Sequence, residues 1–333
     1  MTLVEDAPRR SAVSRRGFML ASAGIAVLSH QTASASVPWR PSQPITIYQP
    51  FPAGGTTDVH MRFLAERVSK KFGQTVNVVP KPGAAGTLAA AQLTSAKPDG
   101  YSLAVITTNS LHYPHYQKTT WHPLESFTYV IGLGDFVMGI VVPTSSPWKD
   151  IGSFIEAGKR EPGRYTYGTS GLGGGGHLVG IAIGQKTGAK FELIPYKGSA
   201  EWLLALLNGE VNAVIASGFW TDAVDNGRAR VLAFATEARY AKYPNVPTLS
   251  ESGVPVELIN PYGLVGPSGM PDNIINTLHD AFRSATDDPE YLPLLGRFGV
   301  APWHRSPADF RAYFTKHFGE VRPLLVQSGL VKD

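Results

Sequence analysis

The sequence predicts an α/β protein with two lobes and a cleft between them. The observations behind this are its length and two separate blocks in which strand and helix patterns alternate. A chain of 333 residues, 43% hydrophobic and 17% charged, exceeds the roughly 250–300 residues that one core usually serves. No long linker separates the blocks, so we expect lobes that face each other, and such junctions commonly hold small ligands.

The first block alternates strand, helix, strand, helix and strand. This βαβαβ order is typical of a parallel sheet covered by helices. The apolar residues after Asp58 have helical spacing and should form a buried face: Met61, Leu64, Ala65 and Val68. The predicted strands are 45–48, 75–79 and 101–107, and the predicted helices begin at Asp58 and span 87–95.

The second block restarts the alternation after Pro147. Its predicted helices are 151–160, one beginning at His177, and 199–207, and its predicted strands are 165–169, 191–194, 211–216 and 230–235. The final stretch contains a strand at 262–265 and helices at 271–286, 289–297 and 307–326. Two α/β blocks therefore account for most of the chain.

The first 35 residues have the features of an export signal. Arg15 and Arg16 belong to a twin-arginine pattern, an apolar stretch covers 18–28, and 33–35 fits an A-x-A cleavage site. That apolar stretch is too short to cross a membrane, and no later segment has 18 consecutive apolar residues. We therefore expect a twin-arginine signal peptide over 1–35, cleavage near Ala35, and a soluble mature protein in the periplasm.

Charge and composition exclude several functions. The net charge is +4, and the predicted signal holds four arginines against Glu5 and Asp6, which leaves the rest near neutral without a basic run for nucleic acid. The chain has no cysteine, so thiol catalysis and Cys-ligated metals are excluded. Pro114 separates His112 from His115, and no carboxylates complete a ligand set. We expect no nucleic acid, metal or cofactor.

A glycine loop leads from the first strand into the first helix. Its backbone N–H groups and hydroxyls, beside the positive end of a helix, suit an anionic oxygen. Asp58 is expected to cap the helix, with direct contact to a ligand as the alternative. The candidate ligand-binding residues of this loop are Gly54, Gly55, Thr56, Thr57 and Asp58.

A second glycine loop, from Thr169 to His177, repeats this arrangement. Its candidate binding residues are Thr169, Ser170, Gly171 and His177. The G-x-G-x-x-G match from Gly171 to Gly176 has a dinucleotide site as its alternative interpretation, in an exported NAD-dependent oxidoreductase. Glu192, however, lies at the start of its predicted strand, whereas a dinucleotide site requires an acidic residue at the end of the strand. An anion pocket is therefore favoured. Ser170 lacks the G-x-S-x-G motif of a hydrolase nucleophile.

Aromatic residues near the predicted loops are candidates for an apolar wall, although most aromatic side chains serve the core. They are Phe51, Phe136, Phe219, Trp220 and Tyr262.

Several motifs, taken in order, resemble the substrate-binding proteins of tripartite tricarboxylate transporters, also called Bug-type receptors. Residues 50–58 resemble the family's P-F-P-x-G-G-x-x-D loop, 81–86 resemble R-P-G-A-G-G, and 97–103 resemble x-P-D-G-Y-T-L. Further matches lie at 177–178, 195–198, 245–248, 251–253 and 298–299. The resemblance covers essentially the whole mature chain.

This resemblance implies a type II periplasmic binding-protein fold, with two α/β lobes joined by crossing strands. Lobe 1 would be 37–136 plus 261–333, and lobe 2 would be 137–260. It also implies a monomeric solute-binding protein, not an enzyme, that delivers a small carboxylate to membrane permease subunits. The two glycine loops would grip the carboxylate, partly through water, with Asn109 and Ser110 in a further ligand-facing loop.

The chain departs from the family pattern near 217–220. A frequent Asp is replaced there, while Phe219 and Trp220 are gained. This favours a plain or aromatic carboxylate over a ligand with an amino group, whereas two facing loops would suit a dicarboxylate. A ligand sensor that feeds a signalling partner remains an alternative to transport.

Overall fold

The computed structural model describes residues 39–327 and 329–331. The predicted signal peptide and its cleavage near Ala35 lie outside these residues. The strands are β1 Ile45–Gln49, β2 Val76–Pro80, β3 Ser102–Thr107, β4 Phe127–Phe136, β5 Gly139–Pro143, β6 Thr166–Ser170, β7 Glu192–Tyr196, β8 Ala213–Ala216, β9 Ala229–Phe234, β10 Pro261–Pro267 and β11 Val300–Arg305.

The helices cover both sheets. They are α1 Thr56–Phe72, α2 Leu88–Ala91, α3 Thr108–His112, α4 Ile151–Arg160, α5 Gly175–Thr187, α6 Ser199–Asn208, α7 Thr221–Asp225, α8 Asp272–Ala285, α9 Tyr291–Arg297, α10 Pro307–Glu320 and α11 Arg322–Gln327.

The strands form two sheets. The first contains the strands of the first predicted block together with β4, β10 and β11, and the second contains the strands of the second block together with β5. The first has the order β11-β4-β10-β3-β1-β2, in which β1 is parallel to β2 and β3. The second has the order β7-β6-β8-β5-β9, in which β6 is parallel to β7 and β8. Antiparallel β10 enters the first sheet between β3 and β4, and antiparallel β5 enters the second between β8 and β9. The two α/β lobes are therefore built alike.

The chain crosses between the sheets twice, after Phe136 and again before Pro261. The crossings lie against each other, because Phe136 N donates to Asn260 O at 3.2 Å and Ala235 N donates to Met138 O at 2.9 Å. These backbone bonds hold the two crossings together.

The predicted buried face of α1 is confirmed. Met61, Leu64 and Val68 have no exposed surface and pack in the same core as Ile45 and Ile47 of β1. Full burial of each such side chain stabilises the fold by about 1.5–3 kcal/mol. This packing fixes α1 on the sheet and thereby fixes the position of its first turn.

Some elements differ from the prediction. β4 was not predicted: it contains Gly132 and Gly134, a residue type that strands usually avoid. A Cβ at Gly132 would lie 2.6 Å from Trp303, and one at Gly134 would lie 2.8 Å from the Tyr262 hydroxyl. Glycine is therefore required there by packing.

Two predicted helices are shorter than expected. Only Leu88–Ala91 of the helix predicted over 87–95 is α-helical, and the remainder is a 3₁₀ turn. The helix predicted over 307–326 divides after Glu320, because Pro323 has no N–H and its ring crowds the preceding turn.

Candidate ligand-binding site

The first glycine loop joins β1 to α1. The helix begins at Thr56, two residues earlier than predicted, and Gly55 is its N-cap. Asp58 is therefore not the cap; it is the third helical residue, and its Oδ2 accepts from Gly54 N at 3.0 Å. Gly54 has φ +80°, a conformation that glycine adopts without strain.

Two buried polar side chains hold this loop from behind. Gln49 has no exposed surface, and its amide pairs with both the N–H and the carbonyl of Phe51. Asp58 is 3% exposed and also accepts from Arg62 Nε at 2.8 Å. Gln49 was not among the predicted binding residues, although a glutamine at a strand position directly before the loop was the available signal.

The second glycine loop has the same construction. α5 begins at Gly175 with Gly174 as its N-cap, again two residues before the predicted start. His177 is the third helical residue, and its Nδ1 accepts from Gly173 N at 3.0 Å. His177 thus has the place and the role that Asp58 has in the first loop.

Acceptance by Nδ1 requires a neutral imidazole with its proton on Nε2. Burial lowers the pKa of His177 to about 4, which keeps the ring neutral near pH 7. The second loop is therefore held without placing a charge beside the cleft.

The first turn of α5 lies tightly against the second sheet. A Cβ at Gly176 would overlap the carbonyl oxygen of Ile215 on β8 and the hydroxyl of Thr169 on β6. Only glycine at 176 lets the N–H groups of this turn approach the ends of these strands.

The lobes contact each other beside the second loop. His112 Nδ1–H donates to Gly173 O at 2.6 Å, while His112 Nε2 accepts from His317 Nε2–H at 2.9 Å. The Tyr116 hydroxyl donates to Leu172 O at 3.0 Å. These bonds tie the first lobe to the carbonyl side of the second glycine loop.

A cavity of about 40 Å³ lies between the two loops. A space of about 10–15 Å³ by this measure holds one water, so the cavity has room for about three. The residues around it come from both lobes and from the crossings. They are Phe51, Thr56, Thr57, Thr107, Asn109, Phe136, Met138, Thr169, Ser170, Gly175, Gly176, Ser199, Ala216, Ser217 and Asn260.

Six of the predicted binding residues line this cavity: Phe51, Thr56, Thr57, Asn109, Thr169 and Ser170. Asn109 also donates through Nδ2 to Ala85 O at 2.9 Å, which fixes its amide. Six further predicted residues support the loops or lie beside the cavity without lining it: Gly54, Gly55, Asp58, Ser110, Gly171 and His177.

The two aromatic residues predicted from 219–220 lie outside the cavity lining. Trp220 is fully buried in the second lobe, where its Nε1 donates to Ala216 O at 3.0 Å. Phe219 packs between Trp202 and Phe298. The apolar part of the cavity comes instead from Phe51, Phe136, Met138 and Ala216.

The lining residues supplied by the crossings and strand ends were not predicted from the sequence. Thr107 ends β3, Met138 lies in the first crossing, and Asn260 ends the second. The alternation of strands and helices marks strand ends only to within a few residues, and it carries no signal for where two crossings meet.

The cavity is polar but carries no charge on its lining. None of the side chains that line it in residues 39–327 and 329–331 is ionisable. The hydroxyls of Thr56 and Thr107 are buried and have no hydrogen-bond partner among the residues that the structure describes. Buried hydroxyls are nearly always paired in proteins, so these two are available for an acceptor within the cavity.

Two further features of the described residues bear on function. Across 39–327 and 329–331, no group of three or more His, Cys, Asp or Glu side chains could hold a metal ion. Within the same ranges, no helix has the length and apolar character needed to cross a membrane.

Two α/β lobes, two crossings and a small cavity between them define the class of two-lobed solute-binding proteins. The chain belongs to the tripartite tricarboxylate transporter family receptors, whose family model matches residues 60–330. This is a receptor family rather than an enzyme family, so the alternative of a dinucleotide-dependent oxidoreductase was wrong.

Known relatives extend over nearly the whole chain. A protein from Cupriavidus necator, described as a UPF0065 protein in the gbd 5' region, is 36% identical over 97% of this chain and 99% of its own. The periplasmic binding protein BugD is 27% identical with a TM-score of 0.82, covering 88% of this chain and 100% of its own. The R. palustris protein Rpa4515, solved with adipate, is 27% identical with a TM-score of 0.82, covering 87% and 98%. The type II periplasmic binding-protein fold is confirmed.

Buried histidines make the protein sensitive to acid. Burial lowers the pKa of His60 and His112 to about 3, and that of His177 to about 4, from an ordinary 6.5. Below pH 6.5 the unfolded chain therefore binds more protons than the folded protein, and the free energy of unfolding falls as pH falls. Each histidine contributes about 1.4 kcal/mol per pH unit within its window. Asp135, whose pKa burial raises to about 7, acts in the opposite direction.

Urea denaturation at pH 7, 6 and 5 measures this dependence. We expect the free energy of unfolding to decrease at each step, because three imidazoles outweigh one carboxyl. His112→Asn keeps a donor for Gly173 O. It should reduce the slope of the free energy of unfolding against pH by the contribution of about one proton. A slope that is flat or reversed between pH 7 and 5 would contradict the neutral buried histidines.

Proposed function

We propose that the protein captures a small carboxylate in the cavity and delivers it to a tripartite tricarboxylate-type transporter. The observation that carries this is the pair of unpartnered hydroxyls of Thr56 and Thr107, each 2% exposed and both lining the cavity. A carboxylate accepts several hydrogen bonds and offers none. It therefore satisfies both donors at once.

Backbone groups add to these donors. The first N–H groups of a helix have no acceptor within the helix, and the first turns of α1 and α5 both contribute lining residues: Thr56, Thr57, Gly175 and Gly176. Each helix also brings partial positive charge at its N-terminus. An anion can be held in this way without a cationic side chain.

The walls of the cavity favour a ligand with an apolar body, and such a ligand needs the lobes to stand further apart than they do around this space of about 40 Å³. Phe136 stacks on Tyr262 with ring centroids 4.3 Å apart, so this part of the wall is held firmly. An aromatic monocarboxylate would place its ring against Phe51 and Phe136. The relative solved with adipate supports an aliphatic dicarboxylate as the other candidate class.

In this proposal, 37–136 with 261–333 forms one lobe and 137–260 forms the other, and both close on the ligand as hinged binding proteins do. The protein acts as a monomer in the periplasm, after export by the twin-arginine signal and cleavage near Ala35. Its partners are the membrane permease subunits that receive the carboxylate.

Replacing Thr107 with valine tests the role of the free hydroxyls. Thr107→Val removes a hydroxyl that has no partner within the described part of the chain, so the melting temperature without ligand should be unchanged or higher. Affinity for a bound carboxylate should fall about 10- to 100-fold, the worth of a hydrogen bond to a charged group. Calorimetric titration with benzoate and with adipate measures this.

Thr315→Val is the matched control, because Thr315 is exposed on α10 and its hydroxyl bonds only to Arg311 O. It should bind as the wild-type protein does. Undiminished carboxylate affinity in Thr107→Val and Thr56→Val alike would count against this mode of binding.

A further inference from the structure

Asn260 lies where the two crossings meet, immediately before β10. Its backbone carbonyl accepts from Phe136 N at 3.2 Å, and its backbone N–H donates to the Asp135 carboxyl oxygen Oδ1 at 2.7 Å. The residue is 6% exposed and lines the cavity. A contact made by its side chain is therefore made where the crossings meet.

The orientation of the Asn260 amide follows from its two neighbours. The Thr108 hydroxyl donates to Oδ1, and Met138 Sδ lies 3.6 Å from Nδ2. A thioether sulfur can accept a weak hydrogen bond but has no proton to give. The amide nitrogen must therefore face Met138, and the oxygen must face Thr108.

This orientation leaves one good donor unused. The amide nitrogen carries two protons, and Met138 Sδ is its sole hydrogen-bond partner among the described residues. The nitrogen also lies close to the first residue of α5, since a Cβ at Gly175 would be only 2.5 Å from Nδ2. The free N–H is thus next to a helix N-terminus that itself lines the cavity.

We propose that Asn260 donates this N–H to an oxygen of the bound carboxylate and is a specificity-determining residue for an acceptor at that position. This inference rests on the proposed function. Asn260 ends the second crossing, bonds to Phe136 and Met138 at the first crossing and to Thr108 in the first lobe. Its amide nitrogen also lies close to α5 in the second lobe, so the ligand contact is made where the crossings and both lobes meet.

Asn260→Asp tests the assignment by replacing the donor with an acceptor of the same shape. At pH 8 the variant should bind benzoate and adipate at least 100-fold more weakly than the wild-type protein, because two carboxylates then face each other. At pH 5.5 part of the affinity should return, since a protonated Asp again offers a donor. The free energy of unfolding of the variant, measured at both pH values, separates this recovery from the repair of a structural defect.

The ionisable groups on the elements around Asn260 are Asp135 on β4, Tyr262 on β10, His112 on α3 and His177 on α5. Both histidines stay neutral from pH 5.5 to 8, because burial lowers the pKa of each to about 4 or below. Burial likewise raises the pKa of Tyr262 well above its usual value, so its hydroxyl keeps its proton. Burial raises the pKa of Asp135 to about 7, so this group titrates in the same range, and the pH profiles of the wild-type protein and of Asn260→Leu show its effect.

Asn260→Leu keeps the approximate shape of the side chain without a donor or a charge. Its affinity for the carboxylate should be about tenfold lower than that of the wild-type protein at every pH. Asn77→Asp, exposed on β2, is the control and should bind as the wild-type protein does. Wild-type affinity in both Asn260 variants would overturn the inference while leaving the proposed function intact. If the wild-type protein itself binds no carboxylate, the proposed function fails and this inference fails with it.

Discussion

Gly176→Ala should abolish carboxylate binding. The added methyl group would overlap the Ile215 carbonyl oxygen and the Thr169 hydroxyl. One of these is backbone within a sheet and cannot rotate away, so the first turn of α5 must move outward. Its N–H groups would leave the cavity, and we expect affinity to fall more than 100-fold.

The same substitution should also destabilise the fold, by about 1–3 kcal/mol, because overpacking forces backbone shifts. Gly319→Ala is the matched control: it is a helical glycine on α10 where an added Cβ would meet nothing within 4 Å. That variant should be as stable as the wild-type protein or up to about 1 kcal/mol more stable. Normal binding by Gly176→Ala would mean that the start of α5 does not contact the ligand.

Asp58→Ala should weaken carboxylate binding nearly as much as Gly176→Ala does, because Asp58 holds the first glycine loop in place. The buried carboxylate accepts from Gly54 N, Arg62 Nε and, at 3.4 Å, Gln49 Nε2. Its removal leaves these donors without their acceptor, and unpaired buried donors cost about 1–3 kcal/mol each. We expect about 2 kcal/mol of lost stability, since Arg62 is half exposed, and roughly 100-fold weaker binding.

Arg62→Gln separates the two roles of Asp58, which accepts a hydrogen bond from Gly54 N and forms an ion pair with Arg62. It breaks the ion pair but leaves the bond from Asp58 to Gly54 N in place, so affinity should change less than threefold. Asp272→Asn, in the exposed first turn of α8, controls for the loss of a helix-start carboxylate. If Arg62→Gln weakens binding as much as Asp58→Ala does, the ion pair rather than the loop is the important element.

The fold was largely predictable because the strand and helix patterns are strong. β1, β3 and α4 begin and end within one residue of their predicted bounds, and the spacing of Met61, Leu64 and Val68 identified the buried face of α1. Strands whose residues depend on packing against distant parts of the chain were harder to predict. β4 is made possible by Trp303 and Tyr262, which lie more than 100 residues away and need glycines opposite them.

The glycine loops were predictable as loops, but the roles within them were not. Asp58 and His177 each follow a glycine pair, and position alone suggested a cap for the former and a helix start at the latter. The observed bonds run backwards by four residues, to Gly54 N and Gly173 N. Such a bond depends on the three-dimensional course of the loop, which the order of residues does not reveal.

The residues of the cavity wall were also only partly predictable from the sequence. Phe219 and Trp220 were natural candidates because they follow a strand end, yet the packing of the second lobe draws Trp220 inward to Ala216 O. Phe136 and Met138 line the cavity instead, because the crossing carries them past the cleft. Phe136 was named among the aromatic candidates, and Met138 had no local signal.

The most direct test is calorimetric titration of the wild-type protein with carboxylic acids and their matching amides. The panel should contain aliphatic and aromatic monocarboxylates and dicarboxylates, including benzoate with benzamide and adipate with adipamide. We predict that at least one acid binds with a stoichiometry of one and that its amide binds at least 100-fold more weakly. Failure of every acid to bind, or equal binding of an acid and its amide, would contradict the account.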